Sequence, residues 1–244
     1  MKDLVFMFKN QKNSDIDILK TLIKQWKKLY KDAGEVKICG SYNNIEISFL
    51  KEKLKKEIEK YNIEIINFKI PEYHKAIKLN IQMIEMWKIL KKEYVFCSND
   101  IFPIKLINDE HLNKEHLIRY KDYTKIDPKG WWEISHFKTL KYFNEKYNTD
   151  NKIVYNGHSF YTIDEEFMKF FLSDENFITM DRNFVKTQFL LMNGDDVYMP
   201  DLIGTTFKNN KLVWDKKKEK IYRGINVSLP YHPSSKKILK KFTK

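Results

Sequence analysis

The chain has 244 residues, 42% of them apolar, enough to bury a real core and to exclude wholesale disorder. No apolar run approaches the ~20 residues of a membrane span, and the opening "MKDLVFMFKNQKNSD" turns polar too quickly for a signal peptide, so a soluble, cytoplasmic protein is expected. The formal charge of +12 predicts a positive surface and a polyanionic partner, whether nucleic acid, nucleotide-sugar or acidic glycan.

"DLVFMF" (3–8) reads as a buried strand. Residues 15–30 then carry Ile16, Leu19, Leu22, Ile23, Trp26 and Leu29 at helical spacing. "EVKICG" (35–40) is a second strand, residues 50–61 a lysine- and glutamate-rich helix, and "IEIINFKI" (63–70) a third strand stopped by Pro71. Residues 73–90 form the clearest helix, with Ile77, Ile81, Ile84 and Trp87 on one face. "YVFCSND" (94–100) is a fourth strand. This alternation predicts βαβ units and a mainly parallel sheet flanked by helices. Ligands of such sheets sit at the carboxyl ends of the strands.

Beyond Pro103 the pattern changes. Residues 108–120 read as a short helix or loop, and 120–132 as turn-rich, ending in Trp131 and Trp132. Residues 134–147 are helical, and 152–171 read as strand, turn and a helix opening near Thr162, with Asp164, Glu165 and Glu166 in its first turn. A hairpin is expected through "FKNNKLVW" and "KIYRGINVSL", then a short basic helix capped by Ser234 or Ser235. The expected layout is one α/β domain. Its nucleotide-binding half covers 1–107, and an irregular α+β acceptor and catalytic half covers 108–244.

Several residues stand out chemically. Asp100 lies where the fourth strand ends. A carboxylate there suits a hard cation, Mg²⁺ or Mn²⁺, set against a diphosphate, with Asn99 adding an amide oxygen. The plainer reading is an Asx-turn that simply ends the strand. Asp195 and Asp196, in "NGDDVYMPD", are candidates for taking a proton from an acceptor hydroxyl, although Gly-Asp-Asp is also a turn signal. Trp131 and Trp132 offer faces for a sugar or a base, or one of them packs into the core. Only three of the 45 basic residues are arginines: Arg119, Arg182 and Arg223. Where lysine is used so freely, Arg182 and Arg223 are candidates for a two-pronged grip on phosphate, or are ordinary surface residues. Cys39 and Cys97 lie in apolar runs and are expected as reduced core thiols.

The run "HKAIKLNIQMIEMW…EYVFCSNDIFPIKL" resembles a helix-then-strand signature of GT-A-type glycosyltransferases, closest to small phage and bacterial relatives of the Stealth sugar-phosphate transferases. "VYNGHSFYTIDEEFMKFF" is similar to the family's His-containing segment, and "GINVSLPYHPSSKKILKKF" to its carboxy-terminal Pro-x-Ser segment. The resemblance implies a GT-A-like fold, a UDP-sugar or other nucleotide-sugar as donor, and Mn²⁺ or Mg²⁺ at Asp100. It further implies His158 or His232 as a closing metal ligand and His74 near the phosphates. Ile101 stands where the family pattern has a second acid.

The leading expectation is therefore a metal-dependent glycosyltransferase moving a sugar to a hydroxyl acceptor. The positive charge makes DNA with a hydroxylated base, as in phage genomes, one such acceptor. The nearest alternative is a sugar-phosphate transferase acting on a surface glycan and releasing UMP rather than UDP. A third reading is a non-catalytic nucleic-acid-binding protein on a degenerate transferase scaffold. The sequence sets no oligomeric state.

Overall fold

The structure is a computed structural model that describes residues 1–8, 13–70, 75–97, 101–103, 106–109, 112, 118–119, 131–149, 155–156, 160–193, 197–198, 205–208, 211–214 and 228–230. The first half alternates as expected: β1 (Lys2–Met7), α1 (Asn13–Leu29), β2 (Ala33–Gly40), α2 (Asn44–Lys53), α3 (Lys55–Tyr61), β3 (Ile63–Asn67), α4 (Lys75–Leu90) and β4 (Tyr94–Cys97). The second half holds β5 (Ile101–Pro103), β6 (Ile118–Arg119), α5 (Trp131–Tyr147), β7 (Tyr155–Asn156), β8 (Tyr161–Ile163), α6 (Glu165–Leu172) and α7 (Arg182–Met192). Four short strands follow: β9 (Val197–Tyr198), β10 (Thr205–Lys208), β11 (Lys211–Trp214) and β12 (Ser228–Pro230).

Five strands make the main sheet, in the order β3-β2-β1-β4-β8. The first four are parallel, and β8 runs antiparallel to β4. The expected α/β architecture is thus present, and its fifth strand comes from the second half of the chain. Side chains alternate across a strand, so β1 feeds two cores. Leu4 and Phe6 pack with Leu19, Leu22, Ile23 and Trp26 of α1 on one face. Val5 and Met7 pack with Met83 and Met86 of α4, Phe143 of α5, Phe167 and Phe171 of α6, and Val185 of α7 on the other. Covered on both sides, β1 and β4 are apolar almost without interruption, while the edge strand β3 keeps Glu64 and Asn67 exposed.

Local chemistry explains where the elements differ from the reading of the sequence. The helix expected over 50–61 begins earlier, because Asn43 accepts from the Glu46 amide at 2.9 Å while Glu46 returns a bond to the Asn43 amide at 2.8 Å. It also breaks at Leu54, whose ψ of 8° leaves the helical range. α5 starts at Trp131, so both tryptophans belong to a helix rather than to the expected loop. β8 occupies the place where a helix was expected near Thr162, and Asp164 caps α6 by accepting from the Phe167 amide at 2.7 Å. Ile118 and Arg119 form a strand within the stretch read as helix or loop. β10 and β11 pair antiparallel, as a hairpin requires, but β12 pairs with β5 instead of joining them.

Candidate active site

In the strand order β3-β2-β1-β4, successive connections run one way from β1 and then reverse to β4. The crevice outside the carboxyl ends of β1 and β4 is therefore the topological switch point, where open α/β sheets hold ligands. A buried tyrosine ties three strand ends together there. The Tyr42 hydroxyl donates to the Phe8 carbonyl at 2.6 Å, just past β1. The Tyr42 amide donates to Asn67 Oδ1 at 2.7 Å, and Asn67 Nδ2 returns a bond to the Tyr42 carbonyl at 2.8 Å. Burial pushes the Tyr42 phenol well above its ordinary pKa, so it is a fixed donor. Gly40 makes room for this arrangement, since a Cβ there would lie 2.6 Å from the Phe8 carbonyl oxygen and against the Tyr42 ring. The sequence reading missed Tyr42 and Asn67. Their only signal was a polar residue closing an apolar strand and a Gly-Ser-Tyr turn closing its neighbour.

Arg182, the first residue of α7, is 5% exposed. Its Nη1 donates to the Leu79 carbonyl at 3.0 Å and lies 3.0 Å from Met7 Sδ. The guanidinium carbon sits 3.9 Å from the centre of the Phe96 ring. Met7 ends β1 and Phe96 is next to last in β4, so the guanidinium lies behind the switch point. Around it, Asp181 Oδ1 accepts from the Asn183 amide at 2.8 Å, and the Tyr161 hydroxyl donates to Asn183 Oδ1 at 2.8 Å. His136 of α5 is buried, with Nε2 3.3 Å from Asp181 Oδ2 and its ring stacked on Phe184. Burial pushes the Tyr161 phenol up to about 12 and the Cys39 thiol up to about 12, each opposed by the Arg182 cation. Cys39 and Cys97 are buried free thiols, as expected, and burial keeps them protonated and inert.

Of the other residues singled out in the sequence, His74, Asn99, Asp100, His158, Asp195, Asp196, Arg223 and His232 lie outside the described residues, as do the side chains of Trp131 and Trp132. Among the described residues, no group of three or more His, Cys, Asp or Glu could hold a metal ion. β4 ends at Cys97, one residue before Ser98-Asn99-Asp100, and β5 resumes at Ile101. Ile101, in the position of the family's second acid, is committed to the ladder opposite Pro230 of β12. β8 opens with Tyr161 opposite Phe96, near the carboxyl end of β4. β12 pairs its last residue, Pro230, with Ile101.

No helix among the described residues is long and apolar enough to cross a membrane. No protein-family model matches the chain, and no curated protein does. Three solved structures are similar to it. The mannosyltransferase Ktr4p from S. cerevisiae shares 13% identity over 77% of this chain and 61% of its own, with a TM-score of 0.45. The PaToxG glycosyltransferase shares 12% over 79% of this chain and 70% of its own, at 0.34. The bifunctional glycosyltransferase WbbM shares 10% over 77% of this chain and 37% of its own, at 0.40. The chain thus spans less than two thirds of the mannosyltransferase it resembles.

Proposed function

We propose that the chain is a nucleotide-sugar-dependent glycosyltransferase whose donor occupies the crevice outside β1 and β4. One observation carries this reading: the end of β4 and the start of β8, distant in sequence, meet at one end of the sheet, beside the switch point between β1 and β4. Asn99, Asp100, His158 and His232 form a donor set of amide oxygen, carboxylate and imidazole, which suits Mn²⁺ and, through its oxygens, Mg²⁺. That ion, held by Asp100 with Asn99 and one of the two histidines, would neutralise charge developing on the leaving diphosphate.

In this reading the ends of β1, β2 and β3, with Tyr42 and Asn67, form the floor on the nucleotide side. His74 and Arg223 bind phosphate oxygens. Asp195 or Asp196 takes the proton of the acceptor hydroxyl as its oxygen bonds to the anomeric carbon. The bond from that carbon to the phosphate oxygen breaks, and the nucleoside diphosphate leaves with the electron pair. Trp131 and Trp132 stack against the acceptor. The basic surface favours a polyanionic acceptor, such as DNA carrying a hydroxylated base.

The test is a screen of nucleotide-sugars for metal-dependent hydrolysis, repeated with hydroxylated DNA, in the wild type and in Asp100→Ala. The expected result is UDP release that falls at least about a hundredfold in the variant. Undiminished transfer and hydrolysis in Asp100→Ala would remove Asp100 from the site. Release of UMP instead of UDP would identify a sugar-phosphate transferase.

A further inference from the structure

Buried charges in folded proteins are ordinarily paired, because an unpaired charge is costly to remove from water. Among the described residues, the other deeply buried cations follow this rule. Lys37 reaches Glu64 at 2.6 Å and also contacts Glu35, and Lys186 reaches Asp164 at 3.0 Å. Arg182, buried as deeply, departs from it. Its contacts are a carbonyl, a thioether, an aromatic face and the Tyr161 hydroxyl, none of which carries a formal negative charge. Among the described residues no carboxylate forms an ion pair with it, and the adjacent Asp181 is engaged with the Asn183 amide and with His136. Its field reaches the surroundings, since it opposes the rise that burial causes at Cys39, Tyr94 and Tyr161.

We propose that Arg182 is a positioning residue for the donor's diphosphate. It is a fixed cation behind the ends of β1 and β4 whose counter-charge arrives with the ligand. The proposal rests on the donor reading above and narrows it to the phosphates. The guanidinium keeps its contacts to Met7, Leu79 and Phe96 in this role. It acts through the low-dielectric strand ends it holds, where a charge is felt more strongly than in water. A chain with only three arginines among 45 basic residues places one here, where its planar group can lie flat on Phe96 while donating sideways.

The test uses the full chain and measures the affinities of UDP and of uridine, with and without Mn²⁺, alongside ligand-free thermal unfolding. Arg182→Met removes the charge and keeps an apolar chain of similar length over Phe96, and Arg182→Lys keeps the charge. The expected result is that Arg182→Met unfolds near the wild-type temperature and binds uridine unchanged, while UDP affinity falls about tenfold or more. Arg182→Lys should retain most of the UDP affinity. Equal UDP affinity in Arg182→Met and wild type would overturn the proposal, as would parallel loss of UDP and uridine. Should Arg182→Met fail to fold, Arg182→Gln supplies the neutral variant. Failure of both, with Arg182→Lys binding both ligands as wild type does, would make the charge structural and overturn the proposal. A wild type that binds uridine but not UDP overturns this proposal alone. One that binds neither of these, nor the nucleosides and nucleoside diphosphates of guanine, adenine, cytosine and thymine, overturns the donor reading with it.

Discussion

Gly40 shows how narrow the tolerances are at the strand ends. The Tyr42 ring and the Phe8 carbonyl fill the space a methyl group would need. Gly40→Ala should therefore cost about 1–3 kcal/mol, as overpacking does, read as a lower urea midpoint at unchanged slope. Asp174 makes a second residue-scale prediction. Burial alone would raise its pKa, but the Lys146 ammonium at 2.6 Å, the Tyr142 hydroxyl and Asn176 outweigh that and lower it to about 2. A carboxyl with a depressed folded pKa contributes stability above its unfolded value and loses it as pH falls through the folded one. Between pH about 4 and about 2 the wild type should therefore lose about 2 kcal/mol. Asp174→Asn should be weaker by a similar amount at pH 7 and show a flatter acid limb in denaturant titrations. Neither arrangement was legible in the sequence, because each joins residues distant along the chain or set by a rotamer. Arg182 was legible as an unusual residue type. Its burial, and the lack of an ion partner among the described residues, were not, because they depend on where Met7, Leu79 and Phe96 come together.

Elements were easier to read than residues. The strands β1 to β4 and the helices α1 and α4 announced themselves through continuous apolar runs and the 3.6-residue period, since burial on both faces leaves the strands little polar content. The short pieces were harder. β12 is three residues long and ends in proline, so nothing local marks it as a partner for β5, more than a hundred residues earlier. That pairing bears on the proposed site because it joins the strand that follows Asp100 in the sequence to the strand that precedes His232. Leu229→Pro, in the middle of β12 opposite Phe102, should break it. The expected outcome is a fall in UDP-sugar turnover of about tenfold or more, as misplaced catalytic groups produce, with thermal unfolding of the main sheet close to wild type. Unchanged turnover would detach β12 from the chemistry.

At the scale of the whole molecule the charge is unevenly placed. Residues 201–244 hold twelve Lys and Arg against three Asp and Glu, so they carry most of the net +12. If a polyanion is the acceptor, this end should dominate its salt dependence. Residues 231–244 include five lysines and no acid. Removing them should reduce the log–log salt slope of duplex DNA binding by up to about 4.5, while an unchanged slope would place the contact elsewhere. The sheet topology has a different consequence, for the chain during its synthesis. β4 ends at Cys97, but its outer neighbour β8 begins only at Tyr161. At roughly 5–20 residues per second, a nascent chain exposes the β4 edge for roughly 3–13 s before β8 exists to cover it. An uncovered apolar edge is a template for pairing with another copy. A fragment ending at residue 107 should therefore sediment as large oligomers at concentrations where the complete chain stays dispersed, and chaperone demand should peak during that interval.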